Sequence, residues 1–179
     1  DTANGDGRTD AGYLAEVLLY NRILTSTELA NTHSYLLNKW NISTTVVSNV
    51  PVTSGLNLWL DAYDPSCVVT DSNSNVLLWR DKSLFQRHFT LPTSTYPTGP
   101  AYISNSVYFS SNNNGGTGVK LSNTSFNISS ISSGSLFYVG KSVTTPTSQF
   151  PNIIYFISTG SSGVKNNELQ LYHVTNAGS

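Results

Sequence analysis

Two short segments, each carrying a tryptophan and closing on an aspartate, constrain this chain most. They are Gly55-Leu-Asn-Leu-Trp-Leu-Asp61 and Val76-Leu-Leu-Trp-Arg-Asp-Lys-Ser83. Both are apolar runs of strand length. In the first, Leu56, Leu58 and Leu60 fall on one face and Asn57, Trp59 and Asp61 on the other, because side chains alternate along a strand. The leucine face is expected to enter a core. Trp59 and Trp79 both sit mid-strand and are expected to meet across strands. Between the segments, Tyr63 to Asn75 is rich in Pro, Ser, Asp and Asn, the residues of turns.

The rest of the chain repeats this grammar. Tyr13 to Tyr20 is almost wholly apolar and predicts a strand covered on most sides, with Glu16 as its one charge. Thr25-Ser-Thr-Glu28 forms a capping box: the Thr25 hydroxyl accepts the amide of the third helical residue and Glu28 reaches back. It predicts a short surface helix over 26–39, with Leu29, His33, Leu36, Leu37 and Trp40 on its apolar stripe. Further strands are expected at Leu84 to Leu91 and around Val107-Tyr-Phe109, Leu121, Leu136 to Val139, Ile153 to Ser158 and Leu169 to Val174. Gly-, Asn- and Ser-rich turns separate them. Short strands at even spacing predict an all-β fold, an antiparallel β-sandwich of jelly-roll type.

Composition excludes several function classes. Among 179 residues only 11% are charged and the net charge is −1, so there is no basic surface for nucleic acid. No apolar run reaches membrane-spanning length. A single cysteine, Cys67, rules out an internal disulfide framework and a cysteine-based zinc cluster. The sequence opens in mid-pattern and contains no Met, and it reads as an excerpt of a longer polypeptide.

At this point a resemblance emerges. Gly55-Leu-Asn-Leu-Trp-Leu-Asp-Ala-Tyr-Asp-Pro-Ser66, followed by Val76 to Ser83, resembles the opening of laminin-G-like, concanavalin A-like jelly-roll domains. Gly12-Tyr-Leu-Ala-Glu-Val-Leu-Leu-Tyr-Asn-Arg-Ile-Leu-Thr-Ser-Thr-Glu28, continuing through Trp40, resembles the closing strand and terminal helix of the same family. Where family members carry a Gly-rich turn before a histidine, this chain has Leu84-Phe-Gln-Arg87 before His88. The family's ending comes first here and its beginning second. Two arrangements follow. In one, residues 1–41 finish one copy, 42–54 are a linker and 55–179 begin a second. In the other, the whole is one circularly permuted domain. The resemblance implies a protein that binds glycans or proteins, or serves as a structural module, on a virion or an extracellular microbial surface. Implied partners are other copies, other surface or capsid proteins, or glycans.

Candidate chemistry is sparse. Glucanases related to this fold place carboxylates in a Glu-x-Asp-x-x-Glu pattern, which is absent. With three glutamates in all, Glu28 taken by the helix cap and Glu16 alone in its strand, no catalytic centre is expected. Glu16 is read as a structural carboxylate bonded to neighbouring backbone. Asp71, Asn73 and Asn75 supply oxygens at alternate positions, as a calcium loop would. However, Val76 replaces the loop glycine and Lys82 the bidentate glutamate, so a polar hairpin turn is the better reading. Asp61, Asp64 and Asp81 could also approach one another, but turn-capping at strand ends is the better reading. Tyr63, Tyr96 and Tyr102 are the candidate sugar platforms, since a flat ring covers the apolar side of a pyranose. Asn41, Asn123 and Asn127 each begin an Asn-x-Ser/Thr glycosylation acceptor.

Overall fold

The structure is a computed structural model. It describes residues 12–41, 52–92, 98–110, 121–123, 126, 131 and 133–143, together with the backbone of two further strands at 151–156 and 169–175. The described part is mostly β, two antiparallel sheets with one short helix.

The first sheet is organised on β1 (Gly12–Tyr20). One edge of β1 is paired along its length by β9 (Ser135–Ser142). The other edge is shared: β2 (Leu56–Asp61) takes Glu16 to Tyr20, and β7 (Ser106–Phe109) takes Gly12 to Leu14. β6 (Ala101–Ile103) completes the sheet as a hairpin with β7. Ser104 and Asn105, at φ 49 and 59, form its two-residue turn. Both central residues in the left-handed region match the strand twist, so one expected strand here is two. The second sheet runs β10 (Pro151–Phe156), β11 (Leu169–Thr175), β8 (Leu121–Asn123), β5 (Phe89–Thr90), β4 (Val76–Trp79), β3 (Val68–Thr70). The expected strand over 84–91 shrinks to Phe89–Thr90, because 84–88 are bent into a turn.

The main core lies between the sheets. Leu14, Val17 and Leu19 of β1, Leu58 and Leu60 of β2, and Val107 and Phe109 of β7 meet Val68, Val76, Trp79, Phe89 and Leu121 of the other sheet. Leu14 and Val17 both point inward although three residues apart, which strict alternation forbids. A register shift against β9 between Leu14 and Glu16 absorbs the extra residue. Such a bulge re-aims the next side chain, and here it turns Glu16 to the outer face.

That outer face is covered by α1 (Ser26–Lys39). Leu18, Tyr20, Leu24, Tyr35, Leu36, Val52 and Leu56 form a second buried cluster beneath it. Hence β1 is apolar apart from Glu16: both its faces are covered. The helix begins with the capping box at Thr25, whose side chain accepts from the Glu28 amide while Glu28 accepts from the Thr25 amide. Arg22 adds a forked pair to Glu28 at 2.8 and 2.6 Å.

The buried stripe differs from the expected one. Thr32, Tyr35 and Leu36 face the sheet, whereas Leu29 and His33 are exposed. The helix is rotated toward residues with an apolar stem and a polar tip, Tyr35 and Lys39, because polar partners wait on the sheet. The two tryptophans also part company. Trp79 is fully buried between the sheets and Trp59 lies under the helix, on different sheets, so they do not pair across strands.

Candidate functional site

The densest polar chemistry among the described residues lies between α1 and the β1–β2 pair. Glu16 is 0% exposed. Its carboxylate accepts from Tyr35 Oη at 2.8 Å, Trp59 Nε1 at 2.9 Å, Trp40 Nε1 at 2.7 Å and Lys39 Nζ at 3.3 Å. The expectation of backbone partners for Glu16 is therefore corrected: every one of these donors is a side chain. Three of the four come from the end of α1, where Tyr35 and Lys39 lie one turn apart.

Asp61 stands directly opposite Glu16 in the β1–β2 register. It accepts from Lys39 Nζ at 2.7 Å, Lys82 Nζ at 3.0 Å and the Tyr63 amide at 3.1 Å. Lys82 continues to Asp64 at 3.1 Å, and Asp64 also accepts from the Ser66 hydroxyl at 2.6 Å. The chain of charge thus runs Glu16, Lys39, Asp61, Lys82, Asp64, from a sealed interior to the surface. Aromatic faces line it: Lys82 lies 4.4 Å from the Trp59 ring centre and Lys39 5.4 Å from that of Tyr35.

Electrostatics follow position. Burial, reinforced by the Glu16 charge, pushes the Tyr35 phenol well above its ordinary value. Burial acts to lower the Lys82 ammonium, but bonds to Asp61 and Asp64 outweigh it and the net shift is upward. The Ser66 hydroxyl, then Lys82, hold the Asp64 carboxyl down at about 2. Each carboxylate here is already bonded. A nucleophile or general acid must face its substrate; Glu16 is sealed from solvent.

Asp81 makes a second knot. Its oxygens accept from the amides of Trp59 (2.9 Å), Ser83 (2.8 Å) and Arg87 (2.8 Å) and from the Ser83 hydroxyl (2.7 Å). Arg87 also reaches the side-chain and backbone oxygens of Asn57. The turn so held carries Gln86 at φ 51 and shows Leu84 99% exposed, with half-exposed Phe85 stacked under the Arg87 guanidinium.

The remaining candidates separate. Asp71 accepts from the amides of Asn73 (2.9 Å) and Asn75 (2.8 Å) and from Asn75 Nδ2 (2.9 Å), closing the β3–β4 hairpin. Asn75 thus points a donor, not an acceptor, at Asp71. Tyr63 is 55% exposed and stands edge-on to Trp40, 5.9 Å between ring centres. Tyr102 is partly buried against the main core and donates its hydroxyl to the Ala62 carbonyl at 2.8 Å. Tyr96 and Asn127 lie outside the described residues. Asn41 is exposed just beyond the helix, while Asn123 is buried and donates to the His88 carbonyl at 2.7 Å.

Sequence reasoning missed the Lys39–Trp40 contribution. Its signal was present: Tyr35, Lys39 and Trp40 share a helical face with Glu16 alone in the strand before it. No protein-family model, no curated protein and no solved structure matches this chain. No helix among the described residues is long and apolar enough to cross a membrane.

Proposed function

We propose that this chain is a non-enzymatic structural or adhesive module of an exterior assembly, on a virion or a microbial surface, built on a concanavalin A-like jelly roll. The observation that carries this reading is the fate of Glu16 and Asp61. They are the two carboxylates that face each other on one sheet, as a hydrolytic pair would. Yet Lys39 bridges them, and α1 seals them from solvent. Acid groups spent this way hold a helix onto a sheet. The pairing of β1 with β2, β7 and β9 favours the permuted arrangement, in which 12–41 and the strands from 56 onward act as one unit.

The test is a pair of measurements on the chain: sedimentation across a concentration series and incubation with a panel of glycans. Self-association without product release supports the module. Release of reducing sugar rejects it.

A second reading, a glycan-binding lectin domain or the binding appendage of a glycan-active enzyme, is favoured by one feature. The exposed Tyr63 ring lies beside Trp40, with Lys39 Nζ 6.0 Å from its centre. A glycan array probed with and without calcium decides it: binding lost in Tyr63→Ala supports the lectin, and an array with no hit removes it.

A further inference from the structure

We propose that β1–α1, residues 12–41, is an exchangeable closing element, and that a second copy of this chain accepts it in place of its own. The inference rests on the assembly reading above and states how copies would join.

The segment is self-contained. Of the four donors on Glu16, Tyr35, Lys39 and Trp40 lie within it. The Thr25–Glu28 box and the Arg22–Glu28 fork are internal too. It therefore carries a buried charge that its own residues already neutralise, which lowers the cost of moving it as a unit. What it receives from the rest of the fold is strand edges, two apolar faces and a few polar ties. The ties are Trp59 Nε1 on Glu16, Lys39 on Asp61, Tyr20 Oη on the Val52 carbonyl at 3.1 Å, Arg22 Nε on the Ser54 carbonyl at 3.1 Å, the Asn21 amide on the Gly55 carbonyl at 2.9 Å and the Leu24 amide on the Ser135 hydroxyl at 3.2 Å.

Its position makes it indispensable. β1 uses both edges, with β9 on one side and β2 and β7 on the other. Without it, those strands lose their partner and leave unpaired backbone groups beside Leu58, Leu60 and Val107. An edge of that kind is a template for an added strand. Nothing in the register depends on which chain supplies β1.

Tether length decides between self-closure and exchange. Trp40 sits at the Glu16–Asp61 end of the β1–β2 pair, and Val52 at the Tyr20 end. Those points are separated by about 13 Å of strand. Residues 42–51 can span roughly 35 Å, so self-closure is easy at an effective concentration on the order of millimolar. Copies held at comparable local concentration compete on equal terms. Exchange then gives a closed reciprocal dimer or an open chain of copies.

The experiment removes residues 42–51 from the full chain, leaving Trp40 and Val52 joined over at most about 7 Å, too short to return the segment. Light scattering is expected to give twice the chain mass or a multiple, with the far-ultraviolet spectrum of the parent. A monomer with that spectrum overturns the proposal. A second measurement covers a variant that fails to fold. The parent, carrying a protease site within 42–51, is folded, clipped and incubated with labelled 12–41 peptide. Uptake of label supports exchange, and no uptake overturns it. A full-length chain that stays monomeric at high concentration bears on the assembly reading alone.

Discussion

Glu16 and Asp61 face each other across β1 and β2 and share one ammonium group, Lys39, at 3.3 and 2.7 Å. Like charges directly opposite on a sheet repel. The lysine turns that repulsion into a three-membered tie, and the helix that supplies it is thereby fixed in rotation and height. Breaking a buried ion pair from one side strands the partner and costs about 3–5 kcal/mol. Glu16→Ala is expected to lose that much in urea denaturation. Glu16→Gln combined with Lys39→Met should lose less than the sum of the single changes, because each removes the other's unpaired charge.

Asp81 is predicted to govern the turn after β4. Asp81→Ala deletes the acceptor for three amides and a hydroxyl, an expected loss of about 2–3 kcal/mol. Amide hydrogen exchange gives the specific readout: Trp59, Ser83 and Arg87 should exchange faster than they do in the parent. Leu84→Ser, on the same turn but almost wholly exposed, should change stability by less than about 0.5 kcal/mol.

These two knots show what the sequence made legible. Strand segments, the helix and its cap could be read because each rests on local chemistry: alternation, apolar runs and the Thr25–Glu28 spacing. The Glu16 site could not, because its donors converge from β2 and α1, and only the β1 bulge turns Glu16 toward them. The helix stripe misled for the same reason. Leu29 looks like core by spacing, but the sheet offers Glu16 and Asp61, which select Tyr35 and Lys39. Ser104-Asn105 lacks the glycine that usually marks a tight hairpin, so β6 and β7 read as one strand.

Thr25→Ala should weaken the helix by about 1 kcal/mol. The loss is expected in the thermal midpoint, and an unchanged midpoint would reject the cap's contribution.

Acid should loosen the same region. Arg22, then the Thr25 amide, hold Glu28 at about 2 against 4.5, and Asp64 is held at about 2 against 3.8. Both folded values lie below the unfolded ones. Their stabilisation is therefore complete above about pH 5 and declines as pH falls toward 2. Lys82 runs the other way: its folded value lies above 10.5, so its contribution holds below that and fades as pH rises past the folded value. In melts between pH 7 and 2, Glu28→Gln should flatten the acid-side decline.

Gly99 is predicted to tolerate no side chain. A Cβ there would collide with the Val76 carbonyl oxygen, where the Val76 amide bonds Pro100 at 2.6 Å and ties the two sheets at one corner. Gly99→Ala should cost about 1–3 kcal/mol in chemical denaturation.

The central place of β1 has a consequence during synthesis. The strand that emerges early must pair with β9, more than a hundred residues behind it; Leu24 and Ser135, bonded at 3.2 Å, are 111 apart. At about 5–20 residues per second the ribosome needs roughly 6–20 s to deliver that partner. For that interval a nearly unbroken apolar segment waits in water, a ready client for a chaperone or for the nascent chain next to it.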